Sequence, residues 1–552
     1  MKNLENIKVL DCTLRDGGYI NDWQFSNEFG HELYRALSEA NVDYVEIGFF
    51  NQEQQGGVWS RITKEVVDEL RRDESGPKIA AMVDYGKLEI DEILPSTETG
   101  VDMVRVATPK SSFREGTEFA AALSELGYET TVNYMAISHY SNQELLELAS
   151  LMNVHGERVE YFYVADSFGN LLPSRTREII STLRFATTSK IGFHPHNNLQ
   201  MAFANSLEAV MAGIDILDGS ITGMGRGAGN LILEALLAYL ERSAPGRYDV
   251  LPVLRFAELY MNELRERYEW GYSLPQLLSG TLNCHPNYAT RLLDLKHFPA
   301  DDVYRILKNM QDEKKARFDS ETLRIRTSEF MVARSMGTFS ISKVLGDKLR
   351  QCKGKALILC GGKSIETYRE AIEALYGEGA CFVVAVNRPV EFKCIHAVYF
   401  ANRRRLLRNM KMLRAPVDVL IGPQIDEREL AILKSEGDRE IFPIKLDNAD
   451  LSEIGKFPIN SGVEAALSLF CMGFERVEIA GMDGFGESID NFAYDETDIV
   501  NSQANRRQLD EIAIDELAML RRYADKRSKS FGIVTPTLYK DYYQPGVLQG
   551  EQ

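Results

Sequence analysis

Eight short β-branched or apolar runs, each followed by a helix-like stretch, lie between residues 7 and 219. Such alternation builds a parallel sheet, because each strand must cross over through a helix before the next can run in the same direction. Eight is the number that closes the sheet into a barrel. The runs are 7–11, 44–48, 78–83, 103–107, 130–135, 161–165, 191–193 and 216–219, and the segments between them, such as 28–40 and 143–152, carry apolar residues three and four apart. An N-terminal TIM (β/α)8 barrel is therefore expected. In that fold, side chains from distant parts of the sequence meet at the carboxyl ends of the strands.

The barrel accounts for only part of the 552 residues. A chain this long exceeds one hydrophobic core. Residues 231–242 and 253–269, with shorter pieces to about 310, read as a helical appendage, and the charged stretch 311–326 reads as a helical or irregular linker. Further on, a compact apolar strand at 355–360 leads into Gly361-Gly362-Lys363-Ser364, a helix at 366–375 and a strand at 381–386. More strands are suggested at 397–400, 417–421 and 477–480, so the C-terminal part is expected to be a doubly wound, Rossmann-like α/β domain. The expected boundaries are 1–295 for the barrel, 296–350 for a helical linker region and 351–540 for the second domain.

A formal net charge of −18 argues against a partner such as nucleic acid, whose phosphates call for a basic surface. No run of about 18 apolar residues could span a bilayer, and the first residues lack the apolar core of a signal peptide. Neither a nucleic-acid nor a membrane partner is expected, and a cytoplasmic location is. The seven cysteines show no CxxC spacing and read as reduced packing residues.

Two segments carry the chemistry. Asp11-Cys12-Thr13-Leu14-Arg15-Asp16-Gly17-Gly18 follows the first run, and Gly192-Phe193-His194-Pro195-His196-Asn197-Asn198 lies at the seventh. His194 and His196 stand two apart on an extended strand end, so both imidazoles point the same way. Asp16 arrives from the first strand, which in a closed barrel neighbours the eighth. One carboxylate and two imidazoles suit a divalent ion such as Mn, Co, Zn or Mg, with positions left open for substrate and water. The alternative for each residue alone is a hydrogen-bonded structural role. Other strand-end residues are Glu46, Arg105, Asp166 and Ser167; Glu46 and Arg105 would order waters and substrate oxygens or pair with each other.

The elements Thr13-Leu14-Arg15-Asp16-Gly17, His194-Pro195-His196-Asn197-Asn198 and Gly223-Met224-Gly225-Arg226-Gly227-Ala228-Gly229-Asn230 together resemble the signatures of the barrel metallolyases, the HMG-CoA lyase-like family. The resemblance is greatest to the 4-hydroxy-2-oxovalerate aldolase branch. It implies a divalent-metal-dependent aldolase that joins or separates a pyruvate enolate and an aldehyde, with Asp16, His194 and His196 holding an ion that chelates a 2-oxo acid. Asn230 would be a further ligand or a loop hydrogen-bonder. Arg15 would stabilise the oxyanion or form a structural salt bridge. The resemblance also implies small-molecule partners, a 2-oxo acid and an aldehyde, and a homo-oligomer. Aldolases of this branch carry a histidine just after the Arg-Asp-Gly element, where this chain reads Gly18-Tyr19-Ile20-Asn21-Asp22. The base would then be Tyr19, Asp22, a metal-bound hydroxide, Tyr272 or His285. Arg226 would contact an anionic substrate group or cap the loop. The rival chemistry within the family is an acyl-CoA-dependent Claisen condensation.

In the second domain, Val386-Asn387-Arg388, Asn460-Ser461-Gly462 and Gly481-Met482-Asp483-Gly484 resemble a Rossmann-like family related to bacterial sialyltransferases and surface-polysaccharide proteins. That implies a nucleotide or nucleotide-sugar pocket lined by Gly361, Gly362, Ser364, Asn387, Ser461 and Asp483, or a domain retained for assembly.

Overall fold

The computed structural model describes residues 4–50, 56–71, 76–294, 297–335, 346, 350–352, 354–377, 379, 381–388, 392–393, 395–409, 417–423, 425, 441–446, 450, 454, 457–484 and 503–548. They fall into two compact units, Met1–Thr290 with Met310–Phe318, and Arg291–Asn309 with Asp319–Gln552. The stretch read as a linker is thus divided between the two. The helix Ala300–Lys308 buries Val303, Ile306 and Leu307, and its Asp302 pairs with Arg334 at 2.7 Å on the helix Ser320–Ser335, so the two helices are tied together within the second unit.

In the first unit, strands β1 (Lys8–Asp11), β2 (Tyr44–Phe49), β3 (Lys78–Asp84), β4 (Met103–Thr108), β5 (Glu129–Tyr134), β6 (Tyr161–Asp166), β7 (Ile191–Pro195) and β8 (Ile216–Gly219) form a closed barrel in sequence order. The pairs are parallel, and β1 closes on β8 through Leu10 opposite Asp218. Strand alternation sorts each side chain to one of two cores. On β6, Phe162 and Val164 point out and pack with the surrounding helices, while Tyr161 and Tyr163 point in. Inside the barrel, Leu10, Tyr44, Met103, Tyr163 and Ile216 share one apolar layer. Two residues further along their strands stand Cys12, Glu46, Arg105, Ala165 and Asp218, so the next layer up carries charge. That layer supports the site.

The second unit has one parallel sheet of β9 (Lys355–Leu359), β10 (Phe382–Val386), β11 (Ala397–Phe400), β12 (Asp418–Ile421), β13 (Ile441–Pro443), β14 (Arg476–Ala480) and β15 (Ser530–Ile533), in the order β13-β12-β11-β10-β9-β14-β15. The order reverses between β9 and β14, as in Rossmann-like sheets. β13 and β15 were not legible in the sequence, because each carries only two large apolar residues, next to Pro443 in one and Gly532 in the other. Among the described residues no helix is long and apolar enough to cross a membrane.

Phe162 is fully buried between barrel and helices. Phe162→Ala should lower the stability of the barrel unit by about 3–5 kcal/mol, read as an earlier chemical-unfolding transition; a shift under about 1 kcal/mol would mean that the site repacks.

Candidate active site

The first turn after β1 is the short helix Thr13–Asn21, which places Asp16 one turn above the barrel's open end. β7 contributes His194 and His196. The ligating atoms of Asp16, His194 and His196 all lie within 4.8 Å of one another, and all three residues are buried. Burial pushes His196 down to about 3, so its imidazole is neutral and its lone pair is free for an ion. Burial alone would raise Asp16, but Arg15, then the two imidazoles, hold it well below the usual carboxylate range.

The cluster is held from behind by a chain of buried charges. Asp16 Oδ1 accepts from Arg15 Nη1, and Arg15 Nε donates to Glu46 Oε2 at 2.7 Å. Arg105 Nη1 lies 3.0 Å from the same Glu46 oxygen, and its Nη2 donates to Asp218 Oδ2. Asp218 Oδ2 stands 2.8 Å from His194 Nδ1. The carboxylate fixes the proton on Nδ1 and turns Nε2 of His194 toward the cluster. Tyr163 lies beneath Arg105, its ring centroid 4.4 Å from the guanidinium carbon. Glu46 and Arg105 therefore do pair, and Arg15 is a salt-bridged residue that also borders the cluster. Asp218 was missed in the sequence reading. Its signal is an acid inside the apolar run Ile216–Gly219, where burial demands a partner.

The glycine loop closes the far side. Asn230 Nδ2 donates to Asp16 Oδ2 at 2.7 Å, and the Arg226 amide donates to the same oxygen at 3.2 Å. A Cβ on Gly225 would lie 2.6 Å from Asp16 Oδ2, so only glycine lets the backbone pass there. Asn230 Oδ1 is buried without a hydrogen-bond partner. An orphaned acceptor beside two imidazoles and a carboxylate is a donor set that fits a divalent cation. Asn230 is thus both the loop hydrogen-bonder and a possible fourth ligand.

The mouth is shaped by other groups. Tyr19 is 44% exposed, with its ring edge-on to Trp23 (4.8 Å) and Phe49 (6.2 Å) and 5.9 Å from the Arg226 guanidinium. Burial, then Asp16 and Asp84, raise its phenol against the pull of Arg15 and Arg226. Arg226 Nη2 reaches 3.2 Å from His285 Nε2. Asp84, at the end of β3, is raised by burial and opposed by Arg15, Lys87 and Arg226; the sequence reading did not single it out. Asp22 is the exposed left-handed C-cap of the helix, φ 54°, and its carbonyl accepts from Gly57, so a backbone role is what the structure gives it. Tyr272 is 62% exposed and has no contact with the cluster among the described residues. Asp166 accepts from the amides of Asn170 (3.1 Å) and Leu171 (3.2 Å), and Ser167 Oγ accepts from Ala136 N at 2.8 Å, so both hold turns.

Residues 6–261 match the HMGL-like family model. A 4-hydroxy-2-oxovalerate aldolase of Thermomicrobium roseum is 31% identical over 54% of this chain and 84% of its own length. The chain belongs to the HMGL-like family. Similar aldolases from Bacillus thuringiensis (35% identity, 43% of this chain, 70% of the relative) and Thermus thermophilus (34%, 46% and 75%) match the same part. The HMGL-like protein is a lyase, and the Asp16–His194–His196 cluster, which could hold a metal ion, lies within its family segment.

The second unit of this HMGL-like chain gathers Gly361, Gly362, Ser364 and Asp483 at the carboxyl ends of β9 and β14, with Asn387, φ 63°, just past β10. Asp483 Oδ2 accepts from the Ser364 amide at 2.8 Å and its Oδ1 from the Ser364 hydroxyl. A Cβ on Gly362 would sit 2.4 Å from Asp483 Cγ. A carboxylate of the chain itself occupies the helix start where an incoming phosphate would sit. Ser461 begins a separate helix, capped by Asn460.

Asp16→Ala and His194→Ala should each abolish stoichiometric Mn binding by calorimetry; one retained equivalent in either folded variant would remove the cluster from metal binding. Asp218→Asn should weaken Mn binding roughly 10- to 100-fold. Arg105→Leu strips Glu46 and Asp218 of a buried counter-ion and should cost about 3–5 kcal/mol in chemical unfolding; an unchanged midpoint would show that the two carboxylates tolerate each other.

Proposed function

We propose that the barrel is a divalent-metal-dependent aldolase that forms or cleaves the C3–C4 bond of a 4-hydroxy-2-oxo acid, with pyruvate and an aldehyde as the separate partners. The observation that carries the reading is the buried Asp16–His194–His196 cluster with the orphaned Asn230 Oδ1 beside it. The names of the aldolase relatives support the substrate class. Manganese is the ion we favour, with Mg, Co or Zn as alternatives; when bound it supplies Lewis acidity toward the carboxylate and keto oxygens of the 2-oxo acid.

The chain's own groups do the rest. Arg15, fixed by Glu46 and Asp16, brings positive charge to the enolate oxygen as the C3–C4 bond breaks. Asp218 keeps His194 in one tautomer, and Arg105 keeps Asp218 ionised. In the synthetic direction C3 of the enolate attacks the aldehyde carbon, and the carbonyl oxygen takes a proton to become the 4-hydroxyl. Tyr19 at the mouth, its phenol raised by burial, is the donor we assign in synthesis, leaving a phenolate; in cleavage that phenolate form takes the 4-hydroxyl proton. His285 is poorly suited to this step, since its Nδ1 lone pair already accepts the Asn287 amide at 3.2 Å.

For the second unit, a nucleotide or nucleotide-sugar would be held through Asp483 and Asn387 as acceptors for sugar hydroxyls, because the amide of Ser364 is already taken.

After chelation, pyruvate release from 4-hydroxy-2-oxo acids of increasing chain length should return on adding Mn. Free-thiol release from acetyl-CoA, with no pyruvate from any hydroxy-oxo acid, would overturn the aldolase in favour of the Claisen reading. Tyr19→Phe should lower kcat on the order of 100-fold at unchanged thermal stability; full activity would reassign the proton donor.

A further inference from the structure

His285 poses a hydrogen-bonding conflict that no group among the described residues resolves. It precedes the helix Pro286–Asp294, and its Nδ1 lies 3.2 Å from the Asn287 amide, which can only donate. Nδ1 is therefore the acceptor, and the single proton of the neutral ring sits on Nε2. Burial, with the charge of Arg226, pushes His285 down to about 4, so the ring is neutral at ordinary pH. Nε2–H then faces Arg226 Nη2 at 3.2 Å. A guanidinium has no acceptor. Two donors converge on one point with nothing between them to accept.

The surroundings say what fits there. Arg226 is half-buried, its own amide touches the cluster residue Asp16, and no carboxylate among the described residues is within ion-pair distance of its guanidinium. Its guanidinium carbon lies over the Tyr19 ring, 5.9 Å from the centroid. An oxyanion bridging Arg226 and His285 would satisfy both donors and neutralise the cation. The position is one arginine side chain away from Asp16, at the mouth rather than in the metal cluster.

We propose that Arg226 and His285 form an oxyanion subsite for the distal end of the aldehyde, so that the carbonyl substrate carries a carboxylate or a phosphate. The inference rests on the pyruvate-aldolase reading above, and the two are tested apart. Deuterium exchange into the methyl group of pyruvate, followed by NMR with the Mn-loaded full-length protein, reads enolate formation with no aldehyde present. Condensation with pyruvate is then compared for succinic semialdehyde against butanal, and for glyceraldehyde 3-phosphate against glyceraldehyde.

At least one anionic aldehyde should exceed its neutral counterpart in kcat/KM on the order of 10- to 100-fold, the worth of a charge-assisted hydrogen bond. Which pair shows the gap identifies carboxylate or phosphate. Arg226→Gln should collapse the ratio to within about 3-fold, and Arg226→Lys should retain part of it. His285→Asn, which keeps an acceptor for the Asn287 amide, should lower the ratio less than Arg226→Gln does. Exchange without any anionic preference, or a preference untouched by Arg226→Gln, overturns the subsite and leaves the aldolase standing. No metal-dependent exchange overturns both.

Discussion

Three carboxylates and two guanidiniums, all out of water in the upper layer of the barrel, form the linkage on which the rest of the site depends. Asp16, Arg15, Glu46, Arg105 and Asp218 alternate in sign and end on His194, so ligands that leave the barrel from β1 and β7 are tied through β2, β4 and β8. Each charge is affordable only because its neighbours are in place, and removing one strands another in a low-dielectric interior. The set carries one net negative charge. A divalent cation would reverse that sign, leaving a site suited to a carboxylate-bearing ligand.

The glycine loop imposes a second constraint, steric rather than electrostatic. Gly229, at φ 81°, would put a Cβ 2.0 Å from the Gly223 carbonyl, and Gly225 admits no side chain over Asp16. The loop thereby lowers Asn230 and the Arg226 amide onto the cluster while sending the Arg226 side chain to the mouth. One short segment joins the buried cluster to the mouth of the barrel.

The two units present their hydrogen-bond donors in opposite ways. At the barrel mouth, donors of Arg226 and His285 converge without an acceptor. At the β9 and β14 ends, the donors of Ser364 are already satisfied by Asp483. A glycine turn between strand and helix is therefore weak grounds for a phosphate site: what decides is whether the chain leaves those donors vacant.

The sequence by itself determined the barrel and the cluster, because both are written in local pattern. Strand and helix periods repeat eight times before residue 220, and a pair of histidines two apart on a strand must share a face whatever surrounds them. The same holds for Asp16 and the Gly225–Asn230 loop, whose residue types allow few other uses. Tertiary structure alone decided the partners. Asp218 becomes the orienting carboxylate of His194, Arg105 its counter-ion and His285 the neighbour of Arg226 only when strands and loops up to 113 residues apart are brought together. It also separated Tyr19 from Asp22 and Tyr272, which the sequence left equivalent, and it divided the stretch 296–350 between the two units. Ion pairing, tautomer and exposure depend on through-space distance, and no spacing along the chain encodes that.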